Sequence, residues 1–370
     1  MDTERASKLA KPSFSNKLFL KWQYARRGQS PAQNLSNPVW EWMFRGRVDP
    51  YHANRLFATG EDFPSQPRWA GCRMGQSETR LSDGRTIWIA GEHEDFYDPD
   101  FFIYNDVIIE HADGRVEIRG YPVEVFPPTD FHSATAIDDE RYLVIVGSIG
   151  YQQHRDELRT PVYRLDTRNF QITPVETIGV SPGWIHKHTA QRSDDCKRLT
   201  IRGGEVMHGK DFIENIDDWS LCLERFEWTR LTDRRWPTFQ IQREDGKRLH
   251  LFDYSCHVFE LENPRFGNES GERIEQEIGA APALDAYKIL FVPNIEHTSQ
   301  PVQDESESGS WRTTRVMVDG VLIRFVDNTY NVTVVAEADV ESSKLTILID
   351  DLVRKLALVE NSKCAISRIR

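Results

Sequence analysis

Cysteine is scarce in this sequence and does not occur in pairs. The five cysteines are Cys72, Cys196, Cys222, Cys256 and Cys364, and no two of them form a CxxC motif. An odd and dispersed set is typical of reduced thiols, whereas disulfide frameworks and zinc sites need paired or closely spaced cysteines. We therefore expect a cytoplasmic protein with free thiols.

Long apolar runs and an excess of positive charge are lacking as well. No apolar segment approaches the roughly 20 residues that cross a bilayer, and the N-terminus has no apolar core of a signal peptide. The formal net charge is −12, whereas nucleic-acid binding needs a concentrated basic surface that neutralises phosphates. We expect partners other than membranes and nucleic acids.

Motifs of nucleophilic catalysis and phosphate binding are missing too. There is no G-x-S-x-G motif, and the cysteines have no recognisable catalytic context. Gly203-Gly204 is not followed by the second glycine and Lys-Ser/Thr of a phosphate-binding loop. Covalent catalysis therefore finds no support in the sequence.

What the sequence does contain is a threefold repeat over residues 73–240. Gly91, Gly147 and Gly203 recur at a spacing of 56, each at the end of a short apolar stretch and eight residues after an aspartate. Thirteen polar or irregular residues follow each glycine, and two further apolar stretches come next. This period and content predict the blades of a β-propeller at 73–128, 129–184 and 185–240.

These repeats resemble the kelch motif. The triplet His132-Ser133-Ala134 fits the order of that family, and the third repeat has its double glycine, Gly203-Gly204, and its aromatic pair, Trp219 and Trp228. The first two repeats lack the second glycine and the late tryptophan. The resemblance covers under half of the chain and implies a kelch-like β-propeller, or part of one, with binding loops on one face. It implies no particular function.

The regions outside the repeats have different patterns. Residues 1–72 predict short aromatic-rich helices, opened at Ser36-Asn37-Pro38 and Asp49-Pro50, that should pack against the propeller. Residues 241–284 predict a degenerate blade, with strands over 248–262 after the Asp245-Gly246 turn. Residues 285–370 predict a small α+β unit with a strand at 287–292, a meander over 315–335, a helix over 345–356 and a last strand at 364–369.

Three blades do not close a propeller, which normally has about four to eight. Exposed sheet edges invite pairing, so the chain needs some means of covering them. Either residues after 240 supply further blades, or the terminal regions cap the sheets, or two chains combine as a homodimer.

The loop after Gly91 is the most polar segment of the chain. Its carboxylates at 92, 94, 95, 98 and 100 could surround a calcium ion, but the loop lacks the glycine and glutamate of an EF-hand. Solvated charge is the simpler explanation, and no metal is expected. Ligand recognition, with Tyr97, Phe101 and Tyr104 as aromatic anchors, is the stronger hypothesis.

A second set of candidates consists of the histidines His93, His132, His154, His186, His188 and His208. Histidines from different loops can build a transition-metal site. However, His132 and His188 occupy the same position in successive repeats, which predicts a structural hydrogen bond within each blade. His186 has Asp130 at its equivalent position and therefore stays a candidate. Neither a catalytic metal nor another cofactor is expected.

Equal repeat lengths should place the loops 92–104, 148–160 and 204–216 on one face. We therefore predict a non-catalytic recognition or scaffolding protein that binds a protein or a small polar ligand there. One alternative is an enzyme acting on a small polar or sugar-like molecule, with carboxylates and His186 or His93 as acid and base. Another is an acidic regulatory or toxin-neutralising protein that covers a basic partner. The expected binding residues are Glu92, His93, Asp95, Tyr97, Asp100, Tyr151, His154, Arg155, His186, His208 and Asp211.

Overall fold

The computed structural model describes residues 12–57, 66–94, 101–303, 313–338 and 342–370. It is mainly β, with several antiparallel sheets and a few helices. The chain divides into two compact units, the first formed by Met1–Val206 with Glu214–Thr232 and the second by Met207–Ile213 with Asp233–Arg370. Within the described ranges, no helix combines the length and apolarity needed to cross a bilayer.

The first unit begins with an N-terminal arm of short elements: α1 (Asn16–Trp22), β1 (Gln33–Asn34), α2 (Pro38–Gly46) and α3 (Pro50–Phe57). Helix α2 begins where the sequence predicts. The Asn37 side chain accepts hydrogen bonds from the backbone N–H groups of Val39 and Trp40, and Pro38 occupies the first turn. An asparagine cap and a proline satisfy or remove donors that a helix start would otherwise leave unpaired.

Three four-stranded antiparallel meanders follow, one for each sequence repeat. Meander one runs through β2 (Ser77–Arg80), β3 (Thr86–Ile89), the short hairpin β4 (Glu92–His93) and β5 (Phe102–Ile103), then β6 (Val107–Glu110) and β7 (Val116–Gly120). Meander two contains β8 (Ser133–Ile137), β9 (Tyr142–Val146), β10 (Val162–Asp166) and β11 (Ile172–Pro174).

Meander three contains β13 (Thr189–Arg192), β14 (Arg198–Arg202), β17 (Trp219–Cys222) and β18 (Glu227–Arg230). It is accompanied by a three-stranded sheet of β12 (Ile185–His186), β15 (Glu205–His208) and β16 (Asp211–Glu214). The apolar residues at equivalent positions before the recurring glycines form the core of all three meanders, since each of the following side chains is fully buried: Ile87, Ile89, Leu143, Ile145, Leu199 and Ile201.

The recurring glycines all have positive φ angles. Gly91, Gly147 and Gly203 have φ angles of +90°, +75° and +60°. At Gly147 a Cβ atom would also lie 2.3 Å from the carbonyl oxygen of Ile185. Only glycine adopts positive φ without steric cost, so these positions require it to end the second strand of each meander.

Neighbouring meanders are joined by hydrogen bonds that repeat along the chain. His132 Nε2 lies 2.8 Å from Ser77 Oγ, and His188 Nε2 lies 2.9 Å from Ser133 Oγ. Each bond connects one meander to the next, so the prediction of a bond within each blade was wrong. The two partners of each bond are 55 residues apart, which is close to one repeat. Each histidine lies just before the first strand of its own meander and contacts the serine that begins the first strand of the preceding meander.

The arm covers one face of meander one, as predicted. Trp40 and Phe44 of α2 share a hydrophobic cluster with Ile108 and Ile118, which lie opposite each other on β6 and β7. Strand β1 also pairs with β7 and so protects the outer edge of this sheet. The other alternate residues of meander one, including Ile87, belong to a separate cluster that contains residues of meander two.

The second unit is built on a six-stranded sheet in the order β20-β21-β22-β23-β19-β24. Its strands are β19 (Thr238–Arg243), β20 (Val302–Gln303), β21 (Thr313–Val318), β22 (Val321–Asp327), β23 (Asn331–Ala336) and β24 (Cys364–Arg368). Its helices are α4 (Leu251–Glu262), α5 (Glu269–Ile278), α6 (Leu284–Lys288) and α7 (Ser342–Val359). The predicted meander, the long helix and the final strand are confirmed, and α7 packs on the sheet through Leu348, Leu352 and Leu356.

Two predictions for this unit were wrong. Residues 248–262 were expected as strands of a degenerate blade, but α4 occupies Leu251–Glu262, and β19 joins the sheet of the second unit. Leu251, Tyr254 and His257 are buried at every third position, which is a helical pattern. The predicted strand at 287–292 is instead the end of α6 and a following turn.

Candidate functional site

The repeats bring polar side chains together near the recurring glycines. Glu92 and Ser148 directly follow Gly91 and Gly147, while Asp130 and His186 occupy equivalent positions before the second and third meanders. The chain on either side is held by main-chain bonds, since Glu92 N–H donates to Met74 and Ser148 N–H donates to Ile185. We call Glu92, Asp130, Ser148, Arg155 and His186 the carboxyl cluster.

Asp130 is at the centre of this cluster and is fully buried. Its Oδ1 accepts hydrogen bonds from Gly150 N–H at 2.7 Å and from the Ser148 hydroxyl at 3.2 Å. Burial raises the pKa of the Asp130 carboxyl, although these donors oppose the shift. The group is therefore easier to protonate than an aspartate in water.

Glu92 is half-buried and hydrogen-bonded to Asp130. Burial, followed by the charge of Asp130 and the bond to it, raises the pKa of Glu92 to about 8. Two carboxyl groups can form a hydrogen bond only when one of them carries a proton. The pair therefore holds a proton at neutral pH, as like-charged carboxyls in one site do.

Arg155 contributes positive charge beside this pair. Its Nε donates to the carbonyl of Ile149 at 3.0 Å, and its Nη2 donates to the carbonyl of Gly150 at 2.9 Å. Burial lowers the pKa of Arg155, while the charge of Asp130 works in the opposite direction. The guanidinium is thus held in place by its own loop, which leaves its charge to act on Asp130.

His186 adds a buried imidazole. Its Nε2 lies 3.4 Å from a carboxylate oxygen of Glu205, and Lys187 Nζ lies 3.5 Å from the same atom. Burial, and then the charge of Lys187, lower the pKa of His186 well below its ordinary value. The ring is therefore neutral at physiological pH, and one of its nitrogens is a proton acceptor.

The structure brings together only some of the predicted binding residues. Glu92 and Arg155 meet at Asp130, and His186 lies within electrostatic reach of Arg155. His93 is buried within the β4–β5 hairpin, where it pairs with Phe102. Asp95, Tyr97 and Asp100 lie outside the described residues.

The other two candidates of the second repeat, Tyr151 and His154, lie in different surroundings. Tyr151 accepts a hydrogen bond from Ile103 N–H through its hydroxyl, at 2.9 Å, and packs edge-on against Phe101. His154 is exposed at the end of a single 3₁₀ turn. Tyr151 therefore holds the loop of repeat one against that of repeat two.

The last two candidates belong to the second unit. Asp211 is buried and accepts hydrogen bonds from Tyr330 N–H at 2.9 Å and Asn331 Nδ2 at 2.6 Å, which anchors the start of β16 to β23. His208 lines a cavity of about 320 Å³ together with Lys210, Gln240 and Tyr330. Asp211 therefore serves the packing of this unit.

Sequence reasoning missed two members of the carboxyl cluster, Asp130 and Ser148, and also missed Lys187 and Glu205 beside His186. The signal that could have found Asp130 was its equivalence to His186, because two different titratable residues occupy one repeat position. Among the residues that the structure describes, no three or more His, Cys, Asp or Glu side chains are grouped to hold a metal ion.

Comparison with known proteins gives little guidance. No protein-family model matches the chain, and no curated protein matches it. Among solved structures, one described as the structure of YjhT matches with 11% identity, a TM-score of 0.32, and coverage of 47% of this chain and 54% of that chain. The chain thus spans about half the length of that structure. Such a weak similarity supports no conclusion about function.

Proposed function

We propose that this protein recognises a small polar ligand at the mouth of a kelch-like partial β-propeller. The three meanders would be its blades, and the carboxyl cluster would be its binding centre. The blade arrangement is supported by the first strands, since β2 lies against β8 and β8 lies against β13, as the innermost strands of adjacent blades do.

The observation that carries this proposal is the carboxyl pair of buried Asp130 and half-buried Glu92. Asp130 and Glu92 would repel each other if both were ionised, and desolvation makes their charges costlier. Such a pair does little for stability and is a common feature of functional sites. Together the protonated carboxyl, the carboxylate oxygens and the Ser148 hydroxyl provide donors and acceptors for a hydroxyl-rich molecule.

Ligand screening tests this assignment. A panel of monosaccharides, sugar acids and polyols would be screened by thermal shift and then measured by calorimetry. We expect Glu92→Gln and Ser148→Ala each to weaken binding of a hit at least tenfold. Glu124→Gln, which changes an exposed glutamate of the same unit, should leave affinity unchanged. A hit that binds Glu92→Gln and wild type equally would contradict the assignment.

A second candidate function is acid–base catalysis on the same class of molecule. It is favoured by the pKa of Glu92, about 8, because a proton donor or acceptor works best when its pKa is near the working pH. The neutral imidazole of His186 would be the complementary base. Proton exchange of a bound hit with D₂O, followed by NMR, should be catalysed by wild type and lost in Glu92→Gln. Exchange at the uncatalysed rate in the presence of wild type would contradict catalysis and leave ligand recognition as the proposed function.

The free cysteines and the net charge support an assignment of cellular location and partners. We place it in the cytoplasm, where the five free thiols stay reduced, and assign no nucleic-acid or membrane partner to a chain of net charge −12. A homodimer that closes the propeller is disfavoured, because the arm occupies the face of meander one that another blade would need.

A further inference from the structure

Meander two has a cavity of its own at the outer end of the sheet, built from the segments 156–163 and 174–184. Its volume is about 500 Å³, and its lining includes Tyr163, Pro174, Ser181 and Trp184. None of these residues belongs to the carboxyl cluster. Ligand pockets usually occupy roughly 300–1,000 Å³, so this cavity is large enough to take the side chains of a partner.

Hydrogen bonds fix the two segments to each other. The Thr160 hydroxyl donates to the carbonyl of Gly183 at 2.6 Å, and the Ser181 hydroxyl donates to the carbonyl of Leu158 at 3.3 Å. Trp184 Nε1 donates to the carbonyl of Ile149 at 3.0 Å and so holds the indole at the cavity wall. A surface that is already ordered loses little entropy when a partner binds.

Apolar side chains at the cavity and directly beside it are exposed to solvent. Leu158 lines the cavity and is 84% exposed, while Val180 and Ile178, on either side of the lining residue Gly179, are 78% and 56% exposed. Leu158 is at the tip of a turn in which its N–H donates to Asp156 Oδ1 at 3.0 Å. Ile178 is held by main-chain hydrogen bonds to Phe226 and Trp228. Exposed aliphatic residues on fixed backbone at and next to a cavity are typical of an interaction surface. We call Leu158, Ile178 and Val180, with the neighbouring acidic residues Asp156, Glu157 and Glu176, the meander-two rim.

The charges at this rim are mostly negative. Asp156, Glu157 and Glu176 are exposed there, against one basic residue, Arg159, which lies 3.8 Å from Asp156. A second copy of this chain would bring the same acidic rim and a net charge of −12. Like charges oppose self-association, whereas a basic partner would be attracted.

From these observations we propose that the meander-two rim binds a partner protein through a segment in which an apolar residue is flanked by lysine or arginine. The apolar side chain enters the cavity beside Trp184, and the flanking cations face Asp156 and Glu176. Strand addition is disfavoured, because the edge strand β11 ends at Pro174, which has no N–H to donate. The partner is therefore recognised by its side chains.

Selection from a random peptide display library tests this proposal on the full-length protein. Peptides would be selected on wild type, and each would then be measured by calorimetry on the double variant Leu158→Ser/Val180→Ser. We expect the enriched peptides to share an apolar residue next to Lys or Arg. Their affinity should fall at least tenfold in the double variant and also fall with added salt.

The control is Leu20→Ser, which changes another exposed leucine of the first unit, 50% exposed. It should leave peptide affinity unchanged, and all variants should keep the wild-type circular dichroism and thermal midpoint. The proposal is overturned if selection enriches no common sequence, if the enriched peptides are acidic, or if they bind the double variant and wild type equally.

Discussion

Each of the two units contains a cluster of ionisable side chains. The neighbours in the first cluster are two carboxyl groups, whereas in the second a carboxylate is paired with cations. In the first unit two carboxyl groups, Glu92 and Asp130, share one site and hold a proton. In the second unit the fully buried Glu360 faces cations. Glu360 accepts hydrogen bonds from His250 N–H and from His250 Nδ1, both at 2.8 Å, and from Arg243 Nη1 at 3.1 Å.

This difference separates a structural role from the functional role proposed above. Glu360 follows α7, His250 precedes α4 and Arg243 ends β19, so their bonds join three elements of the second unit. Each charge there has an opposite partner, which fully accounts for the cluster. The like-charged pair of the first unit joins fewer elements and is opposed by its own charge. Its presence supports the proposed ligand binding or proton transfer.

The same substitution made in both clusters should have opposite effects, and the larger one concerns Glu360. Glu360→Gln removes the charge that compensates Arg243 and His250 while preserving the shape of the side chain. We expect a loss of about 3–5 kcal/mol in the free energy of unfolding, the usual cost of breaking a buried ion pair. Urea denaturation measures it, with the exposed Glu272→Gln as the matched control. A loss in the free energy of unfolding as small as that of the control would contradict the structural role of Glu360.

Glu92→Gln should instead stabilise the protein, and only at high pH. Because the folded pKa of about 8 exceeds the ordinary value of 4.5, folding takes up a proton between these pH values. The stability of wild type therefore falls as pH rises from 4.5 to 8, and the variant escapes this loss. Thermal midpoints should be similar near pH 5 and higher for Glu92→Gln than for wild type near pH 9. A variant that is less stable than wild type near pH 9 would show that the Glu92 charge is compensated.

The smallest expected effect concerns His250. The hydrogen bond that His250 donates to Glu360 raises the pKa of His250, with a further contribution from Glu277, while burial and Arg248 lower it. Protonated His250 thus adds stability that is fully present below its ordinary pKa of 6.5 and is lost as pH rises through the raised value. The difference in thermal midpoint between wild type and His250→Gln should shrink from pH 5.5 to pH 9. A difference independent of pH would assign His250 a role in packing alone.

The repeat could be predicted from sequence because each meander buries apolar side chains at the same positions. Ile87, Leu143 and Leu199 are apolar at one position because each fills a buried site in its own meander. Helix α4 was mispredicted because Phe252, Phe259 and Leu261 are apolar yet exposed, which hid the helical spacing of Leu251 and Tyr254.

The candidate site was predicted only in part for a related reason. Glu92 and His186 were visible as polar residues that interrupt a repeat, but a pair is defined by distance, and no sequence pattern gave the distance from Glu92 to Asp130. The bond between His132 and Ser77 was likewise assigned to one blade because a shared repeat position does not say which neighbour it contacts. Packing periodicity thus reveals the scaffold, whereas pairwise chemistry needs the folded chain.

The packing of the arm on meander one affects where further repeats can be added by duplication. With Trp40 and Phe44 of α2 seated on Ile108 and Ile118, that face is unavailable for stacking another sheet. A duplicated repeat inserted between the arm and meander one would have to offer the arm an equivalent apolar surface, or leave the apolar face of α2 with nothing to bury. Duplications further along the chain carry no such requirement. The arm therefore favours the addition of repeats on the side of meander one away from it.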